Sequence, residues 1–370
     1  MIKFVDLQRQ YHSIKSEIDK VVKDVLESSF FVLGPFTEEF ERSFAKLHNV
    51  KYCITVSSGT SALYLIFKAL GIGEGDEVIV PVNTFIATAE AISLNGAKPV
   101  FVEIDEKTYN IDSKLIENCI TPNTKAIIPV HLYGQPAEMD DILKIAKKYN
   151  LYVIEDACQA HLAEYKGKRV GTFGIAAAFS FYPSKNLGSY GEGGAVITNN
   201  YELAEKIKML RDHGSKQKYY HDIVGGNFRM SALQAAILNI KLKHLKEWTE
   251  KKRSIAYLYN QFLSEVDSIL TPYELPYVKH VYHLYVVRIL NKSRDEVRKK
   301  LLEMGIQTGI HYPIPLHLQK AYKSLGYKEG MFPIAEKCAR QILSLPIYPE
   351  LKNEEIEFVA QELRGILENG

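Results

Sequence analysis

From residue 51 the chain falls into a rhythm of short apolar run, turn and helical pattern, and this alternation restricts the fold more than any other feature. Strand-like runs are predicted at Tyr52–Val56, Glu77–Val80, Pro99–Glu103, Lys125–Val130, Leu151–Glu155, Ala176–Phe181 and Ala195–Thr198. Helical patterns at Ser61–Leu70, Ile86–Leu94, Met139–Lys148 and Tyr201–Arg211 separate them. Strands alternating with helices imply an α/β fold built on a mainly parallel sheet covered on both faces. Such sheets bind ligands just beyond the carboxyl ends of their strands, so polar residues at those ends are the candidates for chemistry.

The flanks read differently. Ile14, Ile18, Val21 and Val25 recur at helical spacing, predicting an amphipathic helix over Ser13–Glu27, and Thr37–Leu47 reads as a second with Thr37 as its cap. Phe30 and Phe31 between them suit either a core or a stacking surface. Beyond Leu242 a helical tract, the strand-like His283–Leu290 and a helix over Asp295–Met304 predict a smaller α+β domain. At 370 residues the chain exceeds one typical domain, and the expected division is 1–241 and 242–370.

Composition removes several classes of function. A net charge of +2 with no face-long basic run predicts neither a nucleic-acid footprint nor attraction to an acidic membrane surface. The opening MIKFVDLQRQ lacks an apolar signal core and no apolar run is long enough to span a bilayer, so the cytoplasm is the expected location. The four cysteines are widely spaced without a CxxC pair, which argues against a zinc site or a disulfide framework. His280 and His283 fall in a strand-like run, three residues apart and hence on opposite faces, so no metal site is expected there.

Four strand ends carry a coherent set. SSGTSAL (Ser57–Leu63) follows the first strand and opens a helix, where free N–H groups make either a plain helix cap or a seat for a phosphate. Phe85, in PVNTFIATAEA, could lie over a planar ring. Asp156, in LYVIEDACQAH, is either a buried cap or the partner of a protonated ring nitrogen, with Gln159 in the turn behind it. Lys185 lies in SFYPSKNLGSYGEGG, between an apolar strand and a glycine-rich turn, where a desolvated amine can condense with an aldehyde. Ser180 offers a further hydroxyl. Phosphate seat, stacking ring, carboxylate and imine-forming lysine together describe a site for pyridoxal phosphate.

With these residues placed, the chain resembles the DegT/DnrJ/EryC1/StrS family of sugar-nucleotide aminotransferases. The resemblance is carried by SSGTSAL, PVNTFIATAEAI, HLYGQPAEMD, VIEDACQAH, SFYPSKNLGSYGEGGAV and GGNFRMSALQAA. It implies an aspartate-aminotransferase-like fold (pyridoxal-phosphate fold type I) with a smaller C-terminal α+β domain. By the same resemblance Lys185 binds the cofactor aldehyde, Asp156 pairs with the pyridine nitrogen and Phe85 covers the ring. Gln159 approaches the ring hydroxyl, and Gly59, Thr60 and Ser180 hold the phosphate. Asn227 would reach the phosphate of a neighbouring subunit, implying a homodimer; without the resemblance it is a turn residue after Gly225 and Gly226.

HLYG (His131–Gly134) and Tyr182 resemble members acting at the C3 ketone of a deoxyhexose, and the presence of Lys185 separates the chain from dehydrating members, which have histidine there. The implied substrates are a dTDP-linked 3-keto-6-deoxyhexose, gluco or galacto, and glutamate as amino donor. Tyr182, His311, Tyr312 and His317 are candidate sugar-nucleotide contacts, the last three lying in the proline-fixed segment GIHYPIPLHLQ, which is otherwise a structural loop. Tyr219 and Tyr220, with Lys216 or Lys218, could meet the diphosphate. Rival expectations are a C4 or UDP-sugar aminotransferase of the same fold and a noncatalytic regulator binding the cofactor or a sugar nucleotide.

Overall fold

The computed structural model describes residues 1–369 and is built on a seven-stranded mixed sheet. Its strands are β1 (Tyr52–Val56), β2 (Glu77–Pro81), β3 (Lys98–Val102), β4 (Thr124–Ile127), β5 (Tyr152–Asp156), β6 (Ala176–Ser180) and β7 (Gly194–Thr198). They lie in the order β1-β7-β6-β5-β4-β2-β3, with β7 antiparallel to both neighbours and every other pair parallel.

Successive side chains of a strand point to opposite faces, and here both faces are covered, so the strand centres are apolar on both sides. Ile54, Val78, Val80, Ile154 and Ala178 enter one core, while Cys53, Ala177, Phe179 and Ile197 enter another and Ile79, Ile127 and Val153 a third. Among the described residues, eleven helices of seven residues or more complete the frame: α1 (Leu7–Ser13), α2 (Lys15–Ser28), α3 (Pro35–His48), α4 (Gly59–Leu70), α5 (Ala87–Leu94), α6 (Met139–Tyr149), α7 (Tyr201–Arg211), α8 (Ala232–Leu263), α9 (Arg294–Glu303), α10 (Pro333–Gln341) and α11 (Asn353–Asn369). The chain between them also forms shorter helical turns.

The smaller domain holds a three-stranded antiparallel sheet of β8 (Ile269–Leu270), β9 (Tyr285–Ile289) and β10 (Ile342–Leu345). Its core joins Tyr259 and Leu263 of α8, Leu301 of α9 and Leu363 of α11, together with Ile2 from the other end of the chain. Ile2 is stitched there by its N–H to the Gly305 carbonyl at 2.7 Å and its carbonyl to the Gln307 N–H at 2.9 Å. The expected division after residue 241 falls inside α8, which runs unbroken past it.

Local departures from the sequence expectations have local causes. The first amphipathic stretch, expected over Ser13–Glu27, forms α2; the shorter α1 precedes it, separated at Ile14, whose φ of −125° is not helical. Thr37 is not a cap: α3 begins at Pro35, whose missing N–H costs nothing at a first helical position, and Gly34 precedes it at φ 79°. Thr37 is buried instead. His280 and His283 precede β9 rather than lying in it. No helix among the described residues is long and apolar enough to cross a membrane.

Candidate active site

The carboxyl ends of β1, β5 and β6 meet at a cavity of about 500 Å³ lined by Ser58, Gly59, Thr60, Phe85, Asp156, Gln159, Ser180, Tyr182, Lys185, His311 and Tyr312, among others. Eleven residues from five separate stretches of sequence thus converge on one space.

The floor is fixed by hydrogen bonds within the chain. β5 delivers Asp156, whose Oδ2 accepts from Thr88 Oγ1 at 2.8 Å and whose Oδ1 accepts from the Cys158 N–H at 3.1 Å. Thr88 has one proton and gives it to Asp156, so the Thr84 hydroxyl, 3.0 Å away, must donate to Thr88. Gln159 is held at both ends: its Oε1 accepts the Tyr133 N–H at 2.7 Å and its Nε2 donates to Tyr312 Oη at 3.1 Å. Phe85 stands half-exposed at the wall, its ring 5.6 Å from that of Tyr312 and tilted by 40°.

Ser58 caps α4, its hydroxyl accepting the Ser61 N–H at 3.0 Å, so the helix begins at Gly59, against the cavity. A Cβ at Gly59 would stand 2.8 Å from the Cys158 sulfur and 2.9 Å from Ser180 Cβ. Only glycine lets this helix end sit so close to β6, and its leading N–H groups then face a space suited to an anion.

Lys185 follows β6 on a turn in which its own N–H bonds to the Tyr182 carbonyl at 2.8 Å. Burial lowers its amine below the ordinary lysine range, with Cys158 and Asp156 pulling weakly the other way. A lysine so placed reaches its nucleophilic, neutral form nearer to physiological pH. Around it, burial pushes the Cys158 thiol up and lowers the imidazoles of His283 and His311, the latter to about 4. The neighbourhood therefore disfavours added charge.

The HLYG segment joins the parts. His131 Nδ1 accepts the Ala137 N–H at 3.1 Å, so its Nε2 bears the proton and donates to Glu155 at 3.1 Å. Tyr133 bonds Gln159 through its N–H, and its hydroxyl donates to the His311 carbonyl. His311 Nδ1 lies 2.8 Å from Ser344 Oγ, and its ring stacks on Phe4 at 5.6 Å.

Other expected contacts lie elsewhere. His317 is corrected to a buried structural residue, absent from the cavity wall: its Nε2 meets Glu336 at 3.0 Å and its ring packs on Phe332 at 4.7 Å. Asn227, Tyr219 and Tyr220 are exposed and do not line this cavity of their own chain; the tyrosines occupy a small hairpin, with Tyr219 80% exposed. Thr88, Cys158, Glu192 and His283 border or support the cavity without having been singled out for it. Thr88 and Thr84 stand four residues apart beside a helix start, but no local pattern tells that their hydroxyls end on a carboxylate 68 residues away. Among the described residues, no group of three or more His, Cys, Asp or Glu side chains is arranged to hold a metal ion.

The model of the DegT/DnrJ/EryC1/StrS aminotransferase family matches residues 12–364. The chain belongs to this family. It is 50% identical over 366 residues to the dTDP-3-amino-3,6-dideoxy-alpha-D-galactopyranose transaminase of Aneurinibacillus thermoaerophilus, covering 98% of each chain. It is 49% identical over 364 residues to a pleiotropic regulatory protein of Geobacillus stearothermophilus, covering 98% of this chain and 97% of that one. Among solved structures it is similar to Streptomyces venezuelae DesV, determined in complex with a ketimine intermediate, at 44% identity and a TM-score of 0.97, with 100% of this chain and 99% of that one covered. The aminotransferase family, its fold and the smaller α+β domain are thus the ones expected from the sequence motifs.

Proposed function

We propose that this chain is a pyridoxal-phosphate-dependent aminotransferase that transfers an amino group from glutamate to C3 of a dTDP-linked 3-keto-6-deoxyhexose, and that it acts as a homodimer in the cytoplasm. The observation that carries the reading is a burial-weakened Lys185 amine sharing one cavity with a doubly hydrogen-bonded Asp156 and a glycine-opened helix N-terminus.

The residues fit the cofactor. Lys185 would hold it covalently, Asp156 its ring nitrogen, Phe85 a ring face, Gln159 the ring hydroxyl, and Gly59, Thr60 and Ser180 its phosphate. Bound there, pyridoxal phosphate supplies an electron sink for carbon acids next to nitrogen. The protein's own part is positional and protonic. The Lys185 amine, once free, takes a proton from one carbon and returns it to another, which its lowered basicity favours at neutral pH. Asp156 is kept from rotating by Thr88 and the Cys158 N–H, so its charge stays aimed at one place as charge develops. Tyr133 ties Gln159 to the His311 segment and so couples the cofactor floor to the wall where the sugar would lie.

The C3 assignment rests on the HLYG segment and on Tyr182, which is half-exposed at the cavity, and on the similarity to the A. thermoaerophilus transaminase. Asn227, Tyr219 and Tyr220, exposed and outside their own chain's cavity, are free to complete the cavity of a second copy. A purely regulatory role, which the name of the G. stearothermophilus relative raises, leaves the Lys185 amine without a task.

Assays with paired 3-keto and 4-keto dTDP-sugars, repeated with UDP-sugars, test the substrate. Turnover of the 3-keto dTDP-sugar with glutamate supports the proposal. Preference for the 4-keto or UDP compound refutes that part of it, and absence of any amino transfer from glutamate points to the regulator.

A further inference from the structure

A second, smaller cavity of about 70 Å³ shares Ser184, Lys185, His283 and His311 with the first, and Lys252 of α8 contributes to its wall. Lys252 is buried, and its Nζ donates to Asn186 Oδ1 at 2.9 Å and to the His283 carbonyl at 3.0 Å. Asn186, the residue directly after Lys185, is spent at its other end as well, donating from Nδ2 to the Val281 carbonyl at 3.0 Å. The turn also admits no bulk at Gly188, where a Cβ would stand 2.2 Å from the Pro183 carbonyl oxygen.

Burying an ammonium is costly unless its protons are satisfied, and an apolar side chain of the same length would fill this place without that cost. The cost is visible in the Lys252 amine, which burial lowers to about 7 against a weak opposing pull from Glu350. What the ammonium supplies in return is a link between the long helix and both sides of the Lys185 neighbourhood. Lys241, eleven residues earlier on the same helix and therefore near the same face, offers a contrast. It too is buried and lowered to about 7, and it donates to the Gly188 carbonyl at 2.7 Å, but it lines neither cavity.

We propose that Lys252 is a positioning residue for the reactive amine: through Asn186 and the His283 carbonyl it fixes the turn so that the Lys185 side chain stands between the two cavities. The inference rests on the reading of Lys185 given above. It makes Lys252 act on Lys185 rather than on substrate, and gives the two buried lysines of α8 different tasks.

The test is competitive labelling of Lys185 with acetic anhydride as a function of pH in the full-length cofactor-free protein, read by peptide mass spectrometry, beside absorbance titration of the lysine-bound cofactor in the holoenzyme. In Lys252→Met the labelling midpoint of Lys185 should rise by about 1 pH unit, towards that of a solvated lysine. The glutamate half-reaction should slow by about tenfold, as expected for a displaced catalytic group. Asn186→Ala should reproduce both changes, and the double variant should be no worse than either single one, because all three break one link. Lys241→Met should lower the melting temperature without moving the midpoint. A Lys252→Met or Asn186→Ala protein that is folded by circular dichroism yet labels like the wild type overturns the inference; if Lys252→Met does not fold, Asn186→Ala decides alone. A wild-type Lys185 that labels like a surface lysine overturns the functional reading as well.

Discussion

The inner floor of the cavity and the exposed hairpin beyond α7 are built on opposite terms. At the floor, Asp156 and Gln159 are each buried and bonded twice to groups of their own chain. On the hairpin, Tyr219 and Tyr220 project into solvent, and Asn227 is likewise exposed, touching its own chain through a short bridge to Asp212. A group that must hold one orientation is made rigid by its own core; a group that waits for a second body is left uncommitted. The contrast is between groups that their own chain fixes in place and groups that it leaves free, as the proposed homodimer requires of Asn227, Tyr219 and Tyr220.

The largest expected effect comes from removing the amine at the floor. Lys185→Ala should reduce turnover by more than about 10³-fold, measured as product formed per enzyme with saturating donor and acceptor. Asp156→Asn keeps the shape but loses the charge, and kcat should fall by about 10²-fold or more with little change in the melting temperature. A variant at either position with near-normal turnover would erase the distinction between floor and rim.

The next prediction addresses the rim. Asn227→Ala should lower activity by about tenfold, and mixing it with inactive Lys185→Ala under conditions that exchange subunits should recover activity, since one site of each mixed dimer then carries both intact residues. No recovery after verified exchange would place Asn227 and Lys185 in the same chain's site. Acid provides a fourth comparison. Burial lowers His48 and His280 to about 3 and His311 to about 4, and it lowers His161 and His283 well below the ordinary range. Between these values and about 6.5 the unfolded chain binds more protons, so stability should be level in histidine terms above pH 7 and fall as pH drops below about 6.5. The half-buried Glu350 carboxyl, raised by desolvation, works weakly in the opposite sense. Denaturant midpoints from pH 8 to pH 5 measure the slope, and a flat profile would contradict the buried neutral histidines. The smallest effect belongs to the hairpin: Tyr219→Phe should change the sugar-nucleotide KM by about two- to fivefold and leave the glutamate half-reaction untouched.

What could be read from sequence follows the same divide. The sheet was legible because β-strands buried on both faces must be apolar throughout, as in VIV at 78–80 and AAAF at 176–179, and because polar residues stop them abruptly. Gly59, Asp156 and Lys185 drew notice for a related reason, since each lies at or within a few residues of a strand end. Contacts set by packing between distant segments were not. Nothing near residue 88 announces a bond to Asp156, and the proline-rich loop around His317 has the polarity of a ligand contact although its imidazole is committed to Glu336. Lys252 was hidden in the helical tract beyond Leu242, because helical periodicity does not tell which lysine of several turns inward to meet a loop.

The central claim, that residue 185 supplies the amine for a pyridoxal cofactor, is tested most directly by reducing the pyridoxal-phosphate-loaded protein with borohydride and mapping the stable adduct by peptide mass spectrometry. The account predicts one cofactor per chain, on Lys185, with the adduct absent from Lys185→Ala. A colourless protein that gains no adduct at residue 185, or one that is labelled equally at other lysines, would contradict it.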